Sequence, residues 1–262
     1  MKFNLYQIDA FTNSIFGGNP ACVVPLTEWL SDKTLLQIAK ENAVAETAFF
    51  INKGDHIQLR WFTPEIEMDL CGHATLATAH CLKTILNHPS NKIVFKTLSG
   101  ELFVSIENGF YSLDFPSRMP EVSELPLNIE KSLNMLPKEV YKSRDYVLVY
   151  DSEEEVKNIQ INRNDFDQIN IDPGGVIVTS QGKNDDFVSR FFTPQASILE
   201  DPVTGSAHCS LIPFWAKRLQ KNKLSAKQLS ERGGVLNCLN KKDRVIISGQ
   251  ARTYSIGSFW IE

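Results

Sequence analysis

The sequence predicts a strand-rich α/β chain built from two similar modules, each with one long buried helix. Three observations lead there. First, a stretch in the first half, Arg60 to Leu82, returns loosely as Arg190 to Leu211. Arg60, Phe62, Thr63 and Pro64 align with Arg190, Phe192, Thr193 and Pro194 at an offset of 130, as do Asp55 and Asp185. Ala79, His80 and Cys81 align with Ala207, His208 and Cys209 at an offset of 128, so the register slips between the two anchors. Second, one repeat at half the chain length fits two modules rather than a solenoid, whose periods are roughly 20–50 residues. Third, the run from His73 to about Leu86 is apolar nearly all round: Ala74, Leu76, Ala77, Ala79, Cys81, Leu82 and Ile85. Such a helix belongs inside a module with sheet wrapped round it.

Each copy reads alike. A β-rich run ends in aromatics, and Thr-Pro stops it because proline cannot donate to a ladder. An acidic loop follows, and then small residues open a helix: Gly72-His73-Ala74-Thr75 and Thr204-Gly205-Ser206-Ala207. Small residues there let free backbone N–H groups and the helix dipole approach an anion. On the helix start alone an ordinary strand–loop–helix joint is the better reading; the repeat turns the expectation to two helix starts facing each other across one pocket that holds a carboxylate.

The remaining elements follow in order. Lys2–Ala10 alternates as a first strand, and Gly17-Gly18-Asn19-Pro20 punctuates a turn before the short strand Ala21–Pro25. Ser31 is placed to cap a helix through Leu35, Leu36, Ile38 and Ala39, ending near Glu41-Asn42. Strands are expected at 92–97 and 102–106, with Asn108-Gly109 turning a hairpin into 110–115. Residues 117–137, rich in proline and charge, read as a linker between a first module (1–116) and a second (138–262). In the second module, Tyr146–Tyr150 is a strand, and Asp172-Pro173-Gly174-Gly175 turns into the strand Val176–Thr179. A helix from about Ser206 to Leu219 and a hairpin within 236–248 follow. The C-terminal run Thr253–Ile261 is expected to pair back onto a sheet. The repeat further predicts that residues 48–64 superpose on 178–194.

Composition narrows the function. The chain has 262 residues, 42% hydrophobic and 22% charged, with a net charge of −4. This is a globular profile. It shows no basic stripe for nucleic acid, no apolar run near the ~20 residues of a membrane span and no export signal. A cytoplasmic location is expected. The five cysteines include no C-x-x-C pair, and the histidines form no H-E-x-x-H pattern, so no metal site is predicted.

Glu46 is the residue to question. It is the single carboxylate in the apolar run Ala43–Ile51. Either it lies at an exposed strand start, or it is buried where desolvation raises its pKa and suits it to acid–base catalysis. Desolvation is expected to prevail, with a protonated His73 nearby opposing it.

Several of these segments together resemble the phenazine-biosynthesis PhzF-like family, within the diaminopimelate epimerase-like fold. They are Gln7-Ile8-Asp9-Ala10-Phe11, Gly18-Asn19-Pro20-Ala21, Glu46-Thr47-Ala48-Phe49, the run Asp69–Thr75 and the run Glu200–His208. The resemblance covers most of both modules. It implies two pseudo-symmetric modules, each a curled, mostly antiparallel sheet around a central helix, with the active site in the cleft between them. It also implies a homodimer and no cofactor; the anion-favouring helix starts add the expectation of a small carboxylate-bearing substrate. By resemblance Glu46 matches the catalytic carboxylate that moves a proton on and off carbon. His73 and Asp201 match groups that line the site and support proton movement, and Gly72, Gly205 and Ser206 match the positions that hold substrate. One position departs from the pattern: Ala45 stands where the family often has serine.

The leading expectation is therefore a cofactor-free isomerase. The alternatives are an amino-acid racemase or epimerase, and a binding protein that kept the pocket without the chemistry. Cys71 stands where the first thiol of a two-thiol epimerase would be, but no cysteine answers it near Asp201-Pro202, so Cys71 is read as structural. A serine hydrolase on Ser206 and His208 lacks the G-x-S-x-G elbow.

Overall fold

A computed structural model describes residues 1–171 and 174–262. The chain divides into two compact units, residues 1–115 with 246–262, and residues 116–245. Both are curled sheets with few helices, a mixed α/β architecture. Among the described residues no helix is long and apolar enough to cross a membrane.

The first unit opens with β1 (Lys2–Ala10), β2 (Asn19–Leu26), α1 (Asp32–Asn42), β3 (Glu46–Asn52), β4 (Ile57–Phe62) and the short β5 (Glu67–Met68). Then come α2 (Gly72–His80), prolonged by a π-helical turn at Cys81–Ile85, and β6 (Lys92–Thr97), β7 (Gly100–Glu107) and β8 (Phe110–Pro116). Ser31 caps α1 as expected, its hydroxyl accepting from the Thr34 amide at 3.2 Å. All nine residues of α2 are buried, and the helix packs on β1, β2 and β3. On a second face, α1 packs on the same sheet through Leu35, Ile38 and Ala39 against Val24, Phe49 and Ile51. Coverage from two sides explains why β2 and β3 read as unbroken apolar runs, whereas β7 alternates exposed and buried residues. Asn108 and Gly109, both at positive φ (50° and 78°), make the β7–β8 turn.

The second unit holds β9 (Glu121–Val122), α3 (Leu127–Ser132), β10 (Glu139–Lys142), β11 (Tyr146–Val149), α4 (Glu153–Asn158) and α5 (Arg163–Phe166). It continues through β12 (Val176–Gln181), β13 (Phe187–Phe192), α6 (His208–Leu219), β14 (Lys223–Gln228) and β15 (Gly234–Lys241). The span read as a linker is not bare chain: it carries β9 and α3, and Ile129 of α3 is fully buried in this unit's core with Val156, Phe166 and Val178. A helix at α4 was missed, though Ser152 and Glu155 form a capping box there. The turn expected at Asp172-Pro173 lies outside the described residues. The chain ends with β16 (Arg244–Gly249) and β17 (Ala251–Trp260), and β17 pairs antiparallel with β1 over its whole length, so the C-terminal run does return to a first-unit strand.

Strand pairing exposes the repeat. In the first unit, β1–β2 is antiparallel, β2–β3 parallel, β3–β4 antiparallel, β4–β6 parallel and β6–β7 antiparallel. In the second, β10–β11, β11–β12, β12–β13, β13–β14 and β14–β15 follow the same alternation. The buried helix enters at the same place in each, after β4 and β5 in one and after β13 in the other.

Two expected registers need correction. Phe49 faces Arg60, whereas Val178 faces Arg190. So β4 maps onto β13 at an offset of 130 but β3 maps onto β12 at 129, because the turn at 182–186 is one residue longer than that at 53–56. The Ala-His-Cys match is not a structural equivalence: His80 closes α2, and His208 opens α6. The second copy spends six more residues between strand and helix. Accordingly α6 begins at His208 rather than Ser206, and Gly205, Ser206 and Ala207 form a tight turn whose carbonyls accept from the amides three residues on.

The repeated arginines fasten these loops. Arg60 grips Glu67 through Nε and Nη2 at 2.7 and 2.6 Å, and lies over the Phe62 ring at 5.1 Å. Arg190 grips Glu200 in the same fork at 2.7 and 2.8 Å over Phe192. Arg190 also donates to the carbonyls of Val156, Lys157 and Ile159 at the end of α4. Removing it strands Glu200 and three carbonyls, so Arg190→Ala is expected to cost about 1–3 kcal/mol in urea unfolding, as suits a pair that is partly buried. A cost under about 1 kcal/mol would mean the fork is not holding the loop.

Candidate active site

Strand order sets up the first-unit cluster. β2 and β3 are parallel, with Ala21 beside Glu46, so the start of both strands lies at one end of the sheet. α2 packs on both strands and starts beside that end. This brings Asn19, Glu46, Cys71 and His73 together.

His73 is the centre. It is 3% exposed, and its two ring nitrogens meet different partners. Nε2 stands 3.0 Å from Glu46 Oε2. Nδ1 is 3.1 Å from Asn19 Nδ2 and 3.6 Å from Cys71 Sγ. An amide N–H at Nδ1 makes that nitrogen the acceptor, which leaves the ring proton on Nε2, facing Glu46. Burial works against a positive charge on His73, while Cys71 and Glu46 work for it, and together they carry the imidazole well above its ordinary value. Burial, with Glu46 adding to it, pushes the Cys71 thiol up to about 11, so the thiol keeps its proton at neutral pH. Whether neutral or charged, the ring presents a proton to the carboxylate.

Glu46 lies at the very start of β3. Its side chain keeps 14% exposure, between the exposed and the buried alternatives. Neither Glu46 Oε2 nor His73 Nε2 has an aligned hydrogen-bond partner, although both atoms are buried. They touch as an ion pair with capacity to spare. Buried polar groups are ordinarily satisfied, so such a pair is exceptional and points to a functional role.

Asn19 was quoted in the sequence pattern without a role. It is fully buried, and the preceding loop delivers it. Gly18 has φ +64°, and a Cβ there would lie 2.1 Å from the Ala10 carbonyl oxygen. Gly18→Ala is therefore expected to destabilise by about 1–3 kcal/mol and to lower activity by displacing Asn19. Wild-type melting temperature and activity in that variant would remove the loop from the argument.

In the second unit, Asp201, Gly205 and Ser206 all fall on the segment leading into α6. Asp201 Oδ2 accepts from the Thr204 hydroxyl at 2.5 Å. Gln228 on β14, fully buried and unremarked in the sequence, holds the segment from the side: Oε1 accepts from the Thr204 amide, and Nε2 donates to the Asp201 carbonyl, both at 2.8 Å. His208 donates from Nδ1 to the Thr204 carbonyl at 2.8 Å. The structure thus groups Glu46, Gly72 and His73 in one unit, and Asp201, Gly205 and Ser206 in the other.

Among the described residues, Glu46, Cys71 and His73 are also the one group whose donor atoms could gather on a metal, all within 4.8 Å of one another. The set was not anticipated from sequence spacing.

A carboxylate 3.0 Å from a buried imidazole, on a two-repeat α/β fold, forms a candidate active site. Comparison with known proteins gives the class. The family model described as phenazine biosynthesis-like protein matches residues 8–257. An uncharacterized isomerase of Pseudomonas aeruginosa is 46% identical over 259 residues, covering 98% of this chain and 99% of its own. A crystal structure from Enterococcus faecalis, described as a phenazine biosynthesis protein of the PhzF family, superposes with a TM-score of 0.94 at 44% identity, with full coverage of both chains. A predicted epimerase of Pseudomonas aeruginosa shares the fold, with a TM-score of 0.75 at 16% identity over 99% of this chain and 100% of its own. The chain belongs to the phenazine biosynthesis-like family, and with these relatives it is an isomerase.

Proposed function

We propose that this isomerase relocates a proton on a small carboxylate-bearing substrate without a cofactor, with Glu46 taking and returning the proton. The observation that carries the reading is the Glu46–His73 pair, whose facing atoms are buried, 3.0 Å apart and otherwise unpartnered. Glu46 is the group that contacts the reacting carbon. His73 faces it with a proton on Nε2 and balances charge as the carboxylate changes state. Asn19, 3.1 Å from Nδ1, holds the ring in that orientation. Gly72 opens α2, where free backbone N–H groups favour a carboxylate. The parts assigned to Asp201, Gly205 and Ser206 rest on the sequence resemblance.

A two-thiol epimerase finds less support. Cys71 keeps its proton at neutral pH, and all five cysteines are buried and free. The test is solvent deuterium incorporation in heavy water, run over a panel of cyclic and amino-acid carboxylates. Exchange at one carbon of one panel member, without added cofactor, is the expected result. Exchange only on addition of a cofactor would overturn the cofactor-free reading.

A further inference from the structure

Cys71 has no part in the proton transfer, yet it stands against the residues that do. Its Sγ lies 3.6 Å from His73 Nδ1. That is close to the edge of a tetrahedron around an ion with bonds of roughly 2.0–2.1 Å to nitrogen and 2.3 Å to sulfur. The Glu46 carboxylate is the third donor, with one donor atom from each residue within 4.8 Å of the others. His73 is 3% exposed, and its Nδ1, the nitrogen beside Cys71, has neutral side-chain contacts to Asn19 and Cys71 at 3.1 and 3.6 Å. Three donors of sulfur, nitrogen and oxygen type leave one tetrahedral position for water, the usual composition of an open zinc site.

We propose that Glu46, Cys71 and His73 form an inhibitory site for a borderline-soft divalent cation of the zinc type. The cation binds the Cys71 sulfur as thiolate and His73 as neutral imidazole, so each ion bound releases to solvent the thiol proton and, from a charged ring, the Nδ1 proton as well. Two negative ligands then balance its two positive charges. Binding at Nδ1 replaces the Asn19 contact. The ion takes up the Glu46 lone pairs that would receive the substrate proton, and so it stops turnover. A thiolate ligand selects against magnesium, which prefers oxygen donors and octahedral geometry. The inhibitory half of the proposal rests on the proton-transfer reading; the binding half does not.

The test separates the two. Cobalt(II) is titrated into the purified full chain and followed by absorption, with zinc then added in competition. One cobalt per chain with a sulfur-to-cobalt charge-transfer band, displaced by zinc and absent with magnesium, is expected. Cys71→Ser should lose the band and weaken binding at least about tenfold. A band that persists in Cys71→Ser, or no binding by the wild type, overturns the site. In the exchange assay, zinc should inhibit the wild type, and half-inhibition should rise at least about tenfold in Cys71→Ser, measured against that variant's own rate without zinc. Binding at the site without inhibition would overturn the inhibitory role while leaving the cation site standing. Should Cys71→Ser fold poorly by circular dichroism, Cys71→Ala gives the same readout.

Discussion

Glu46→Gln is expected to cut solvent-deuterium incorporation by at least about a hundredfold while leaving ligand binding within a few-fold. The amide keeps the shape of the side chain and its place at the head of β3. It cannot accept a proton from carbon or give one back. Positioned acid–base groups contribute roughly 10²–10⁴-fold, and the Glu46 carboxylate stands 3.0 Å from His73 Nε2. Cys71→Ala should leave most of the activity, because its thiol, held up to about 11 mainly by burial, carries no proton in the reaction at neutral pH. The reverse pair of results, with Glu46→Gln active and Cys71→Ala dead, would replace the carboxylate mechanism with a thiol one.

Mild acid should weaken the fold strongly between about pH 6.5 and pH 4. Burial, with Arg252 adding to it, holds His80 down to about 4, and the ring is bonded at 3.0 Å to both Tyr111 and Thr253. Burial also holds His208 down to about 4, against the Thr204 carbonyl that accepts from it. Both folded-state values lie below that of an unfolded histidine, so the unfolded chain binds protons first as pH falls. Stability is complete above about 6.5 and is lost progressively towards 4. At 1.36 kcal/mol per pH unit, each histidine accounts for up to about 3 kcal/mol. Two such losses rival the ~5–15 kcal/mol of a typical domain. Chemical unfolding from pH 7 to 4.5 should show this slope, and His80→Gln with His208→Gln should remove about two protons from it. An unchanged slope in the double variant would assign the acid sensitivity to carboxylates instead.

The sequence by itself determined the repeat, the buried helix of the first half and the residue types at the site. Those follow from local rules: apolar periodicity, Thr-Pro stops, the Ser31 cap and the Asn108-Gly109 turn. Glu46 stood out because a lone carboxylate in an apolar run needs a partner. Its partner was decided by tertiary structure. Residues 46 and 73 meet because β2 and β3 run parallel and α2 lies over their common end, a pairing that no spacing along the chain encodes. Asn19 and Gln228 became visible only as buried amides bonded across distant segments. The offset-128 match misled for the same reason: identical tripeptides sit at opposite ends of their helices, because the second copy inserts a turn before α6. Local sequence fixes what a segment can form. Which atoms face one another depends on strand order and loop length, and those are set by how the apolar faces are buried together.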